Sequence, residues 1–246
     1  MTTAPAADQR RLLEVQALDT RLDQLAHRRR TLPSLARLAE LGGQVADLQQ
    51  ALVTSRTAVS DLRREVAKAE ADVEQVRARS RRDQAKLDSG QGSPKDLQAL
   101  QSELVALARR QGELEEVELE VMERLEAHES ALAEITAAHA QLAEQVAVVE
   151  AERDADVAGI DEEATQVRAQ RVTAAQGLDA GLVTLYERLR GQLGGRGAAA
   201  LHGRRCEGCR LELNPTDLDD IRAKPEDAVV RCEECGRILV RVPQDA

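Results

Sequence analysis

Apolar residues recur along this chain in alternating steps of three and four. From Leu38 the series runs through Leu41, Val45, Leu48, Leu52, Val59, Leu62, Val66, Ala69, Val73 and Val76 to Leu87, with Ser55, Ser80 and Asp83 as polar members. A sustained 3.5-residue repeat is the seam of a coiled coil. Upstream, Val15, Leu18, Leu22, Leu25, Arg29 and Leu32 keep the same step, and the phase breaks beside Pro33. A proline inside a helix loses a hydrogen bond and clashes with the preceding turn. A kink or short break is therefore expected near 32–34, with Ser34 available as a cap, and Gly42-Gly43 should weaken the following turn. A second series opens at Leu97 and passes through Leu100, Leu104, Leu107, Leu114, Val121, Leu125, Leu132, Ile135, Leu142, Val146 and Val149. It fades through Asp156, Ile160, Glu163 and Val167.

The two seams are separated by Ser89-Gly90-Gln91-Gly92-Ser93-Pro94. Glycines end helices in positive φ, and Ser followed by Pro suits a helix start. A short turn between long helices makes them antiparallel neighbours. Charge agrees: residues 8–88 are net +3 and residues 94–176 net −12, so each arm complements the other better than a copy of itself. Beyond Val172 the pattern loosens. Leu182, Leu185, Tyr186, Leu189 and Leu193 form one more amphipathic helix, and Gly191, Gly194, Gly195 and Gly197 read as a loop. The expected organisation is an antiparallel coiled-coil hairpin over 1–180 (turn at 89–94, break near 32–34), a short helix and Gly-rich linker over 181–200, and a C-terminal unit over 201–246. The fold class is mainly α: a long antiparallel coiled-coil helical hairpin followed by a small C-terminal β domain.

Composition narrows the chemistry. The chain has 246 residues, neither Phe nor Trp, and one Tyr. Without aromatic side chains to fill a large core, an α/β enzyme domain is not expected, and neither is a base-stacking platform. The formal net charge is −10, so any nucleic-acid contact must be local. No apolar run is long enough to span a bilayer, and Met1–Arg11 lacks the apolar centre of a signal peptide. The chain reads as soluble and cytoplasmic, with no membrane role.

All four cysteines lie in the last 41 residues, as Cys206-Glu-Gly-Cys209 and Cys232-Glu-Glu-Cys235-Gly236. Doubled C-x2-C is a zinc signature. Two intervening residues let one tight turn aim both sulfurs at one ion, and four thiolates complete a tetrahedron, which makes the metal structural. Gly236 suits a turn in positive φ, and Gly208 relieves crowding in the first. Val229–Arg231 and Ile238–Val240 read as the strands of a hairpin, so that 201–246 is expected to be a C4 zinc ribbon, a small β domain. A redox dithiol would need a βαβ setting, and disulfides are disfavoured in a cytoplasm. His202 reads as an exposed loop residue, and His128 and His139 as polar members of the seam.

Three stretches resemble a bacterial family of C4-type zinc-ribbon proteins with an N-terminal coiled-coil hairpin. They are Ser93-Pro94-Lys95-Asp96-Leu97 through Glu103, Leu185-Tyr186-Glu187-Arg188-Leu189-Arg190, and the ribbon with Cys235-Gly236-Arg237-Ile238-Leu239. Val240 stands where family members often carry an aromatic residue. The resemblance implies that the four cysteines are the zinc ligands and that the protein is not an enzyme. It also implies links to nucleic-acid binding and to transcription or secretion partners.

Local charge offers a nucleic-acid site. Residues 188–210 hold Arg188, Arg190, Arg196, Arg204, Arg205 and Arg210 against Glu207, net +5, and the hairpin tip, 77–112, is net +4. Arginine clusters can neutralise phosphates. They can equally pair with acids of the opposite arm or offset the −2 of a tetrathiolate centre. The expected function is a non-enzymatic adaptor for protein–protein contacts, with RNA or DNA as a further partner, in gene regulation. The alternative is a purely protein–protein scaffold or chaperone-like adaptor. One structural zinc is expected, no small-molecule substrate, and a monomer or weak dimer.

Overall fold

The computed structural model describes residues 2–242. Helix α1 spans Ala6–Arg30, α2 Pro33–Asp88, α3 Pro94–Ala175 and α4 Ala180–Gln192. Strands β1 (Ala198–His202) and β2 (Arg205–Cys206), helix α5 (Pro215–Ala223), and strands β3 (Val230–Arg231) and β4 (Ile238–Arg241) follow. The chain divides into two compact units, residues 36–150 and residues 1–35 with 151–246.

Within residues 36–150 the first seam is the buried one: Leu41, Leu52, Val59, Leu62, Ala69 and Val73 are buried on α2, and Leu107, Val121, Leu142 and Val149 on α3. Leu38, Leu41, Val45 and Leu48 pack against Leu142, Val146 and Val149. Arg63 pairs with Glu129 at 2.6 Å and Arg77 with Glu115 at 2.6 Å, so partners descend one helix as they ascend the other. This antiparallel run uses the charge difference between the arms. The turn forms with Gly90 at φ 62° and Gly92 at φ 139°. Ser93 caps α3 reciprocally: its hydroxyl and N–H donate to Asp96 Oδ2 at 2.7 and 3.0 Å, while the Asp96 N–H donates back to Ser93 Oγ at 3.3 Å. These bonds hold the Asp96 carboxyl below its ordinary range.

The break beside Pro33 sits slightly upstream of the expected place. Thr31 closes α1, and Pro33 is the first residue of α2, where its missing N–H costs nothing. Ser34 is therefore inside the helix and is not its cap; its hydroxyl is buried without a partner among the described residues. Gly42 and Gly43 do not interrupt α2. The seam of α3 also changes phase after Val149. Val157 and Ala164 pack inward beside Ile160 and Val167, and Glu163 pairs outward with Arg21. Two successive four-residue steps, 149–153–157, make this shift, a stutter in the repeat.

In the other unit, α1, α4 and the end of α3 enclose Leu12, Val15, Ala174, Leu182, Tyr186 and Leu189 with Ala198, Ile238 and Val240 of the sheet. The sheet order is β2-β1-β4-β3, with β1 parallel to β4 and the other pairs antiparallel. Its other face packs Ala199, Leu201 and Leu239 against Leu213, Leu218, Ile221 and two cysteines. Within 181–200 the short helix and the glycine-rich turn form where expected, and the turn leads directly into β1. Helix α4 buries its apolar face, and the stretch ends in a central strand. The N-terminal segment joins in, its Ala4 N–H donating to Asp227 O at 2.8 Å.

A buried polar cluster ties the three helices. Asp19 is 2% exposed. Its carboxylate accepts from Tyr186 OH at 2.7 Å and Arg171 Nε at 2.9 Å, and lies 3.5 Å from Arg190 Nε. Glu187 also pairs with Arg171, and Asp23 with Arg190 at 2.9 Å. The hydrogen bond from Arg171 to Asp19 outweighs its desolvation and raises its pKa, while burial raises that of Tyr186.

Asp19→Ala would leave two arginines and a hydroxyl without their shared acceptor, and is expected to destabilise the fold by about 3–5 kcal/mol. Tyr186→Phe removes one charge-assisted bond and should cost about 1.5–3 kcal/mol. Urea unfolding of both variants checks this, and equal losses would contradict a central role for the carboxylate.

Candidate metal centre

The four cysteine sulfurs lie within 4.8 Å of one another. Cys206 and Cys235 Sγ are 3.9 Å apart, as are Cys209 and Cys232 Sγ. A tetrahedron with Zn–S bonds near 2.3 Å has edges of about 3.8 Å. All four are free thiols. The donor set fits a four-coordinate zinc with no open position, and Cys206, Cys209, Cys232 and Cys235 would hold it. His202 ends β1, is exposed, and is not part of the sulfur cluster.

Each C-x2-C turn is built on one plan. The Arg210 N–H donates to Cys206 O at 2.7 Å and the Cys206 N–H to Leu211 O at 3.1 Å; the matching pairs are Gly236 to Cys232 at 2.8 Å and Cys232 to Arg237 at 2.9 Å. The arginine before each turn closes it from outside. Arg205 Nε donates to Arg210 O at 3.0 Å, and Arg231 Nε to Gly236 O at 2.7 Å. The repeat Arg-Cys-Glu-x-Cys, at 205–209 and 231–235, carries this symmetry and could have been read from the sequence. It assigns Arg205 a bracing role in addition to its charge.

The fifth position of each turn is left-handed: Gly236 has φ 70° and Arg210 φ 64°. Glycine accepts this without strain, whereas an arginine there costs about 1–2 kcal/mol. Gly208 meets a different demand. A Cβ there would stand 2.8 Å from Arg237 Cδ and 2.9 Å from Ala199 Cβ, a close approach that relieves crowding as expected.

Backbone N–H groups aim at the sulfurs. Burial raises the Cys206 pKa against donors at Cys209 and Gly208, and raises that of Cys232 to about 12 against donors at Cys235 and Glu234. Burial also acts on Cys235, but the Arg237 N–H and side chain, with the Cys232 and Cys209 thiols, outweigh it and bring that pKa to about 7. Burial disfavours the thiolates of Cys206 and Cys232 unless a cation stands beside them, which a dication in the cluster would supply.

The structure separates the six candidate arginines. Arg190 is held by Asp19 and Asp23 and is three-quarters buried, so it is not available to a nucleic acid. Arg188, Arg196, Arg204, Arg205 and Arg210 are exposed, with no carboxylate within salt-bridge distance among the described residues. The hairpin tip is not a free basic patch. Arg77 pairs with Glu115, Arg79 with Glu103 at 2.7 Å, Arg81 with Glu74 at 2.5 Å and Lys86 with Asp83 at 3.4 Å, while Arg109 and Arg110 both reach Glu113. No helix among the described residues is long and apolar enough to cross a membrane.

The CT398-like coiled coil hairpin domain matches residues 15–194, and the C4-type zinc ribbon domain matches residues 205–239. The uncharacterised protein Rv2229c of Mycobacterium tuberculosis is 38% identical over 239 residues, 97% of each chain. A solved structure from Mycobacterium smegmatis is 36% identical, with a TM-score of 0.88 over 98% of this chain and 100% of that one. CT398 from Chlamydia trachomatis shares the fold at 20% identity, with a TM-score of 0.71 over 96% and 98% of the two chains. This chain belongs to the family of CT398-like coiled-coil hairpins bearing a C4-type zinc ribbon, and its cofactor is one structural zinc.

One zinc per chain is expected by metal analysis. Because protons compete for the thiolates, zinc affinity should fall steeply as pH is lowered, followed by competition with a chromophoric chelator; a pH-independent affinity would exclude thiolate ligation. Gly236→Ala should destabilise the zinc-loaded protein by about 1 kcal/mol, whereas Arg210→Gly, relieving the same strain, should be neutral or stabilising by up to about 1 kcal/mol. Thermal unfolding of the two variants measures that opposition.

Proposed function

We propose that the protein is a non-enzymatic adaptor whose ribbon-bearing unit holds RNA or DNA by the phosphate backbone while other surfaces engage protein, in the service of gene regulation. A hairpin with a closed four-thiol metal site fits an adaptor, since such a site offers no open coordination position for chemistry.

One observation carries the nucleic-acid part. Two adjoining clefts of about 360 and 330 Å³ share Arg222, Arg241 and Val242. Arg10 and Lys224 line the first, with Glu226 as its acid; Gly203, followed by Arg204, lines the second. Arg241 is fixed by donating to the carbonyls of Ile221, Lys224, Pro225, Glu226 and Ala228 at 2.7–3.3 Å, and pairs with no carboxylate among the described residues. Arg222 has only a loose contact with Asp219, at 3.9 Å. The trough thus presents one cation held by five carbonyls and three others, Arg10, Arg222 and Lys224, with no close carboxylate partner among the described residues. It adds Arg10, Arg222, Lys224 and Arg241 to the exposed set of Arg188, Arg196, Arg204, Arg205 and Arg210. Sequence reasoning misses these four because they are scattered along the chain and meet only in the fold.

The sole aromatic residue, Tyr186, is fully buried. Stacking is therefore absent, and recognition rests on phosphates, with strong salt dependence and little sequence preference. The narrower reading, a protein–protein scaffold or chaperone-like adaptor, draws support from the ion pairs that consume the hairpin-tip arginines.

Anisotropy titration of single-stranded RNA and DNA of about 20 nucleotides across ionic strengths tests the proposal. The triple variant R10A/R222A/K224A should bind more weakly and lower the slope of log K against log salt by about 0.7 for each phosphate no longer neutralised. Absence of binding by the wild-type protein at low salt would leave the scaffold reading.

A further inference from the structure

A different surface, within residues 36–150, carries an apolar stripe that this chain does not cover. Val105, Leu119 and Met122 of α3 are 73%, 59% and 45% exposed. With Ala108, Gly112 and Glu115, whose carboxylate is taken up by Arg77, between them, they fall within roughly 100° of arc at about 100° per residue. The stripe lies beside the buried seam of Leu107 and Val121 and is distinct from it. Gly112 is a notch on it: apart from the backbone of its own helix, nothing among the described residues lies within 4 Å of where its Cβ would stand. A glycine inside a helix costs stability relative to alanine, and here the missing side chain serves no packing within the chain.

The rim is strongly acidic. Residues 113–126 carry seven glutamates and one arginine, and the two arginines at the start of the stripe, Arg109 and Arg110, both reach Glu113. Three of these charges are used within the unit, through Glu115 with Arg77, Glu113 with Arg110 at 3.3 Å, and Arg124 with Glu65 at 3.6 Å. Glu116, Glu120, Glu123 and Glu126 face no cation within salt-bridge distance among the described residues and are exposed. Exposed apolar groups rimmed by polar ones mark binding surfaces. The surplus negative charge selects a positive partner and steers its approach. It also disfavours a second copy, whose own glutamates would crowd the same rim.

We infer that the stripe Val105–Gly112–Met122 on α3 is a docking site for a cationic amphipathic helix of a partner protein. Leucine-like side chains of that helix would lie over Leu119 and Met122, with its backbone closest at Gly112, and its lysines or arginines would meet Glu116, Glu120 and Glu123. This is the helix-on-helix mode of recognition, in which apolar anchors give affinity and flanking charges give selectivity. The stripe and the cationic trough share no residue, so either can fail without the other.

The probe is a lysine–leucine peptide of about 21 residues with leucines at three–four spacing, titrated by anisotropy against the full chain. Its control has the same composition with leucines spread around the helix. The amphipathic peptide should bind at least about tenfold tighter, and L119S/M122S should weaken it about tenfold or more, with unchanged circular dichroism and unchanged RNA or DNA binding. E116Q/E120Q/E123Q, which alters exposed positions outside the buried seam, should flatten the salt dependence with unchanged circular dichroism. Equal affinity for the two peptides, or indifference to L119S/M122S, overturns the proposal. So does sedimentation equilibrium showing a wild-type dimer that L119S/M122S dissociates, since the face would then belong to a second copy.

Discussion

Three successive residues of strand β4, Ile238–Val240, have no side exposed to water, and that constraint organises the ribbon-bearing unit. Ile238, Leu239 and Val240 are each fully buried, with Ile238 and Val240 on the helices and Leu239 on the zinc side. Successive side chains of a strand point to opposite faces, so three residues join two cores. Their burial contributes about 2 kcal/mol each, a large share of the roughly 5–15 kcal/mol by which a domain is typically stable. Both neighbours of β4 are needed to satisfy its backbone. The antiparallel partner β3 leads into the second cysteine turn, and the parallel partner β1 comes from the segment after α4. Metal and helices thus hold the same strand from opposite faces.

This arrangement changes the part played by zinc. A ribbon of some 45 residues with no aromatic core would depend wholly on its metal. Here Tyr186, Leu12 and Leu182 form a substantial core beneath the sheet. Asp19 locks that core by accepting from two helices at once. The metal organises the two turns and the cluster around Leu213, Leu218 and Ile221, on the order of 10–16 kcal/mol of apparent folding free energy in comparable modules, while the helical face has its own support.

The legible parts of this fold are those set by local periodicity. Leucines spaced by three and four mark the seam, Gly90 and Gly92 the turn, and the doubled C-x2-C the metal. What stays hidden depends on distant partners. Ala198-Ala199-Ala200-Leu201-His202 is rich in a helix former, yet it forms a strand because Gln16 accepts from the N–H groups of Gly197 and Ala198 at 2.8 and 3.2 Å and β4 lies alongside. Asp19 and Gln16 sit among charged neighbours in the sequence and give no sign of burial. Counting in steps of three and four puts Glu163 on the seam, but a stutter hands the place to Ala164. Strand order, too, cannot be read from spacing, since β1 and β4 pair only after α5 and the second cysteine turn have brought the chain back.

Counting charges along the chain misplaces the surfaces available to partners, because a count ignores pairing. The hairpin tip is net +4 by sequence, but most of its cations are held by glutamates and aspartates a turn or an arm away. Arg190, inside the most basic stretch, is spent on Asp19 and Asp23. Conversely Arg10, Lys224 and Arg241 attract no notice individually and converge around one trough. The same logic applies with opposite sign to α3, where glutamates outnumber the cations that could answer them and the apolar residues among them lie outside the seam. A surface is electrostatically available only to the extent that its charges exceed what the fold itself consumes. By that measure the chain carries a surface with surplus positive charge and another with surplus negative charge.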